Sequence, residues 1–306
     1  MSNENLIQNY SNSQIIEKYL LNFSKASANM RRSSLTYFFS MKHFGYESHV
    51  SDIEKYTLMD YFNFLKQDVG IAIKTKINKW SILKSFLEYL MEYYDDFIVK
   101  IPARTINWGI QHKKPNSNRK VYATIEEIQQ ILNYFKINNF KHYLIFRGFA
   151  ELGWRKGGCI NAKYEDVNIK GRYIETIEKT GEKVYYFSRE FAKLLEIYIE
   201  ERKKLKTTYK NLFISQHKKP YSERPFNKIL KQVLEKLGIE KNITCHTFRR
   251  SLNNLRKKQM KCNNEDAKIL LGHKLRDVNI ISYTEEKKEV FLEMFDKYNP
   301  YQNLSI

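Results

Sequence analysis

The chain has 306 residues, 53 Lys and Arg against 34 Asp and Glu for a formal net charge of +19, and 42% hydrophobic residues. That length exceeds the usual single domain, and the apolar fraction can fill two cores. The excess of cations has no use in an enzyme of small neutral substrates and points to a polyanionic partner. No run of about 18 uncharged apolar residues occurs, and Met1-Ser2-Asn3-Glu4-Asn5 lacks the parts of a targeting segment, so no membrane span and a cytoplasmic protein are expected.

From about residue 14 to 97 the pattern is helices in series. Ile16, Tyr19, Leu20 and Phe23 recur at spacings of three and four, as do Leu58, Tyr61, Phe62 and Leu65, and then Ile77, Trp80, Leu83, Leu87 and Leu90. Between the first two, Arg31 to Phe44 gives a further helix with Leu35, Phe38 and Phe39 inside and Arg31, Arg32 and Lys42 outside. These stripes predict an N-terminal helical domain over residues 1–100. Periodicity stops in 101–121, where Pro102, Gly109, Pro115 and Asn116 alternate with His112, Lys113, Lys114, Arg119 and Lys120, a basic linker.

The remainder, 122–306, is mixed. Thr124-Ile125-Glu126-Glu127 is a helix start, with a hydroxyl cap and acids in the first turn. Tyr143 to Ala162 is helical in pattern. Tyr173 to Ile177 and Val184 to Phe187 are short β-favouring runs joined as a hairpin through Lys179-Thr180-Gly181-Glu182. Helices follow at about 190–204, 224–237, 246–260, 263–272 and 285–297. Cys159, Cys245 and Cys262 have no Cys-x-x-Cys spacing, so neither a zinc site nor a disulfide framework is suggested. Cys245 adjoins His246, but neighbours in sequence point apart, which disfavours a cysteine nucleophile.

The chemistry-bearing residues fall in the order Arg155, Lys179, His246-Thr247-Phe248-Arg249, Leu271-Gly272-His273 and Tyr283. His246 and Arg249, at i and i+3, share a helix face and can converge on one phosphate. A tyrosine hydroxyl can attack a phosphodiester when fixed cations hold the charge that builds on its oxygens. The acids are scattered among lysines, whereas two-metal hydrolysis needs clustered carboxylates.

In this order of motifs the chain resembles the tyrosine recombinases, the phage-integrase and Xer family, from about residue 12 to 298. The resemblance implies a mostly α fold with a small β-sheet: a four-helix, SAM-like core-binding domain and an α+β catalytic domain that close around DNA. It makes Arg155, in Glu151-Leu152-Gly153-Trp154-Arg155, and Arg249 the phosphate-binding arginines. Lys179 becomes the general acid on the departing 5′ oxygen, with Lys183 as competitor, and Tyr283 the nucleophile that forms a 3′-phosphotyrosine. His246 and His273 complete the set, and neither metal nor cofactor is needed. Two departures stand out. Gly158 lies where relatives commonly carry a glutamate that buttresses the site, and the loop from His273 to Tyr283 is one residue longer than usual.

The implied partner is double-stranded DNA with paired recombination sites, bound by a homo-tetramer with or without an accessory protein, which would make the protein nucleoid-associated. Each protomer would pass a C-terminal segment to its neighbour, and Val290 to Phe295 is apolar enough to be it; packing on its own domain is the alternative. Xer-like dimer resolution and mobile-element integration both fit. A type IB topoisomerase or a non-recombining regulator on the same fold are the other readings.

Overall fold

The computed structural model describes residues 6–40, 48–102, 121–178, 181–272 and 285–302, with side chains of the last segment from Lys288 onward. The chain divides into two compact units, Met1–Asn118 and Arg119–Ile306.

The first unit contains α1 (Asn12–Leu20), α2 (Lys25–Phe39), α3 (Lys55–Gln67) and α4 (Ile73–Tyr93). Ser11 opens α1 with a capping box, its hydroxyl accepting from the Gln14 N–H while Gln14 accepts from the Ser11 N–H. Ile15, Tyr19, Leu35, Phe38, Leu58, Tyr61, Leu83, Phe86, Leu87 and Leu90 form its core. Four helices form as the periodicity predicts, but α2 begins at Lys25, six residues before the expected Arg31, and ends at Phe39, with 41–44 of the expected span outside the described residues, and two stripes are rotated. Ile15 rather than Ile16 is fully buried, and Ile82 and Phe86 fill the core while Ile77 is exposed. A three-four spacing fits two adjacent stripes almost equally well, and packing chooses between them. Arg31 and Arg32, expected on the outside, both have partners: Arg31 donates to the Tyr19 hydroxyl and lies 3.8 Å over the Phe23 ring, and Arg32 pairs with Glu17 at 2.7 Å.

The second unit runs α5 (Ile125–Asn138), α6 (Phe140–Glu151), α7 (Lys156–Asn161), β1 (Val167–Asn168), β2 (Tyr173–Glu178), β3 (Gly181–Tyr186), α8 (Arg189–Lys203), α9 (Arg224–Lys236), α10 (Cys245–Lys258), α11 (Asn264–Ile269) and α12 (Glu285–Lys297). Thr124 caps α5 in the expected box with Glu127. Helix α6 is buried at every residue from Tyr143 to Glu151 and is the central post. Phe146 stacks on Phe135 with centroids 4.4 Å apart, and Phe149 meets Trp154 and Phe226 edge-on. Each such buried side chain contributes about 1.5–3 kcal/mol.

Residues 143–162 do not form the single helix their pattern suggests. The chain breaks between α6 and α7, and Gly153, at φ +64°, marks the break. A Cβ there would also lie 2.8 Å from Leu252 and 2.9 Å from Leu271, so the turn admits only glycine.

The sheet is antiparallel in the order β1-β2-β3, and the hairpin register pairs Ile174 with Tyr185, Thr176 with Lys183 and Glu178 with Gly181. Alternation therefore gives one face to Ile174, Thr176, Glu178, Lys183 and Tyr185, and the other to Tyr173, Glu175, Val184 and Tyr186. Helix α7 lies against the first face: the Thr176 hydroxyl donates to the Gly158 carbonyl at 3.0 Å. Helix α12 covers the second, with Phe291, Phe295 and Tyr298 packed on Val184 and Tyr186. Arg172–Asp296 and Lys288–Glu175 pairs flank that contact. The apolar stretch around Phe291 thus packs on its own chain.

Arg256, near the end of α10, is fully buried. It donates to the carbonyls of Tyr298, after α12, and Leu270, at the end of α11. Among the described residues no helix is long and apolar enough to cross a membrane.

Candidate active site

At the end of α6, before the Gly153 turn, Glu151 is anchored. Its carboxylate pairs with Arg147 and accepts the Ser188 N–H at the start of α8. After the Gly153 turn, Trp154 drops into the core, and a Cβ at Gly148 would lie 2.4 Å from its ring. With Trp154 fixed inward, Arg155 emerges as the residue before α7, in extended conformation, its side chain 40% exposed.

Arg155 Nη1 donates to Glu178 Oε2, and the Arg155 backbone N–H reaches Oε1 at 3.4 Å. The Tyr185 hydroxyl donates to the same Oε1 at 2.6 Å. Burial alone would raise the Glu178 carboxyl, but the Tyr185 hydroxyl and the Arg155 guanidinium outweigh it and hold the group below the ordinary carboxylate value. It is ionised at neutral pH.

Helix α10 brings the next two candidates. Thr244 caps it through a box with Thr247, which sets His246 and Arg249 in the first turn. His246 is exposed, and Arg249 is sunk to 5% exposure. Arg249 Nη1 donates to the Gly153 carbonyl and Nη2 to the Leu271 carbonyl at 2.7 Å. The Tyr185 hydroxyl lies beside the same guanidinium. The spacing of three does place His246 and Arg249 on one side of the helix, but at different depths. Partial burial, then the charges of Arg250, Arg249 and Arg155, hold the His246 imidazole below its ordinary value, so it is neutral at pH 7.

Arg155 and His246 share a cleft of about 370 Å³ with Trp154, Lys156, Gly157, Glu178, Glu223 and Cys245. Arg249 lies behind it, bonded to the residue two places before Arg155. Cys245 is no nucleophile, since burial pushes its thiol up to about 12. Among the described residues no three His, Cys, Asp or Glu side chains are grouped as metal ligands.

Lys179, His273 and Tyr283 lie outside the described residues. Their flanks are placed: Glu178 and Gly181 pair across the hairpin, and Gly272, at φ +62°, follows the α11 turn. Lys183 is only 3% exposed, and a Cβ at Gly272 would lie 3.1 Å from its Cδ. The residue that the sequence reading missed is Glu178. Its only signal there was negative, the absence of an acid at Gly158.

Comparison with known proteins gives the family and the fold. The phage integrase family matches residues 122–289. The tyrosine recombinase XerD of Staphylococcus saprophyticus is 26% identical over 267 residues, covering 83% of this chain and 85% of that protein. Two solved structures share the fold. One is the Tn1549 transposon integrase in complex with transposon right end DNA, at 16% identity and TM-score 0.67, over 92% of this chain and 98% of that one. The other is the XerH site-specific recombinase bound to palindromic difH substrate, at 17% identity and TM-score 0.65, over 95% and 87%. With more than half of its length matched, across Arg155, His246 and Arg249 in their expected order, the chain belongs to the phage integrase family.

Proposed function

We infer that this chain is a site-specific recombinase of the tyrosine class, an enzyme that cleaves and rejoins DNA strands. The supporting observation is the cleft in which Arg155 and His246 meet, with Arg249 tied to the same turn through the Gly153 carbonyl. A scissile phosphate in that cleft meets the open side of Arg155. Arg249 Nη1 and Nη2 each keep a second N–H beyond those given to carbonyls, and the buried charge acts in a poorly screened setting.

In the proposed reaction the Tyr283 hydroxyl oxygen attacks phosphorus and a 3′-phosphotyrosyl bond forms as the bond to the 5′ oxygen breaks. Neutral His246 takes the tyrosine proton, and Lys179 gives a proton to the leaving oxygen. The two arginines hold the charge on the non-bridging oxygens, and His273 supports it. A 5′ hydroxyl then attacks the phosphotyrosine, releasing Tyr283 and joining the strands. The phosphodiester energy stays in the tyrosyl bond, so the balance calls for neither nucleotide nor metal. The partner is double-stranded DNA carrying paired sites inside the cell, bound by a homo-oligomer, with the N-terminal helices adding affinity. Strand exchange between two sites makes the working unit a tetramer.

The test uses a substrate nicked beside the cleavage point, which traps the adduct. Tyr283→Phe abolishes covalent linkage while affinity stays within a few-fold, since one hydroxyl and no charge is lost. An adduct on another tyrosine, or magnesium-dependent hydrolysis with no adduct, overturns the assignment.

A further inference from the structure

We propose that Glu178 is the positioning residue of Arg155, supplying from β2 the carboxylate that α7 lacks at Gly158. This rests on the reading of Arg155 as a phosphate-binding arginine.

Three observations carry it. First, the Glu178 side chain is 3% exposed, yet it meets both the guanidinium and the backbone N–H of Arg155, so it fixes the residue at both ends of its side chain. Second, a Cβ built on Gly158 would lie 2.7 Å from Glu178 Oε1 and 3.4 Å from its Cγ. The carboxylate fills the space that a side chain at 158 would enter, and glycine there is the condition for its presence. Third, Oε1 also accepts the Tyr185 hydroxyl, which lies beside Arg249. One buried carboxylate thereby orders both arginines.

The geometry assigns what each nitrogen does. Arg155 gives Nη1 to Glu178, and among the described residues its Nε–Nη2 edge has no partner. That edge is the fork that fits two phosphate oxygens. With the carboxylate gone, a long side chain 40% exposed has its rotamers to itself, and the fork is no longer held ready. Misplacement of a binding group by about 1 Å can cost on the order of 10²-fold in rate. Glu178 also immediately precedes Lys179 in the chain, so the same contact pins the end of the strand that leads to the proposed general acid.

The experiment measures single-turnover cleavage of the nicked substrate, DNA affinity and melting temperature in the full chain. Glu178→Gln, which keeps the volume, and Glu178→Ala are each expected to slow cleavage about 10²-fold with affinity within a few-fold. Gly158→Glu alone is slower than wild type, because two carboxylates then contend for one space. Gly158→Glu combined with Glu178→Ala recovers at least ten-fold over Glu178→Ala, since a carboxylate is again offered from the other side. A role in folding alone would not be rescued in this way. Wild-type cleavage by Glu178→Gln, or no recovery in a double variant that melts with the wild type, overturns the proposal. Arg155→Ala serves as the control: if it cleaves normally, the reading of Arg155 is what has failed, and not the role of Glu178.

Discussion

The two arginines are held in opposite ways. Arg249 is enclosed, each terminal nitrogen giving one N–H to a main-chain carbonyl, that of Gly153 or Leu271. Arg155 stands at the cleft with one side-chain carboxylate as its tether. Carbonyl partners belong to the backbone, so the setting of Arg249 persists as long as the turns persist. A carboxylate partner belongs to one replaceable side chain. One cation is therefore part of the fold, and the other is adjustable by substitution around it.

The largest effect that would sharpen this contrast is on Arg249. Arg249→Ala should slow cleavage by roughly 10²-fold or more and also destabilise, because two buried carbonyls lose their donors at about 1–3 kcal/mol each. Arg155→Ala should slow cleavage comparably while melting much closer to the wild type. Equal melting temperatures for the two variants would break the distinction.

Next in size is the turn that joins them. Gly153→Ala must place a side chain at φ +64° against Leu252 and Leu271, at a cost of about 1–3 kcal/mol for the overpacking. Because the Gly153 carbonyl holds Arg249 while the next two residues set Arg155, cleavage should fall with stability; an alanine variant that melts lower but cleaves normally would show the two arginines to be independent.

The smallest effect concerns His246. Its folded value lies below the unfolded one, so the unfolded chain takes up the proton more readily, and stability is lost as pH falls through the ordinary histidine value of about 6.5. Replacing His246 by Gln should flatten that part of the melting profile slightly. An unchanged slope between roughly pH 7.5 and 5.5 would mean that neither its burial nor the neighbouring cations hold it down.

Much of this was legible in the sequence. Thr124 before two acids announced α5, and α8, α9, α10 and α12 fall within a residue or two of their periodic patterns, whereas α11 ends three residues before its expected end at 272 and the pattern over 143–162 is two helices. The hairpin was readable from Gly181 and the flanking β-branched and aromatic runs. What was not legible depends on contacts distant in sequence. The need for glycine at the 153 break depends on Leu252 and Leu271, about a hundred residues on, which a Cβ there would meet, and a helical pattern on both sides conceals it. The two-residue β1 exists only through pairing with β2. Glu178 reads as an ordinary strand acid until the fold sets it against Arg155, 23 residues away in sequence. Order along the chain identified the candidate cations, but it could not say which would be sunk and which exposed.

Arg256 bears on all of this from below. Seven residues beyond Arg249 on the same helix, it holds the Leu270 carbonyl while Arg249 holds that of Leu271, so consecutive carbonyls at the end of α11, which the helix leaves without partners, are taken by buried guanidinium groups. Arg256 also donates to the Tyr298 carbonyl just past α12. A buried donor that serves two masters gives the ends of α11 and α12 a common energetic currency: what displaces either strains the other, and by reciprocity what seats either steadies the other.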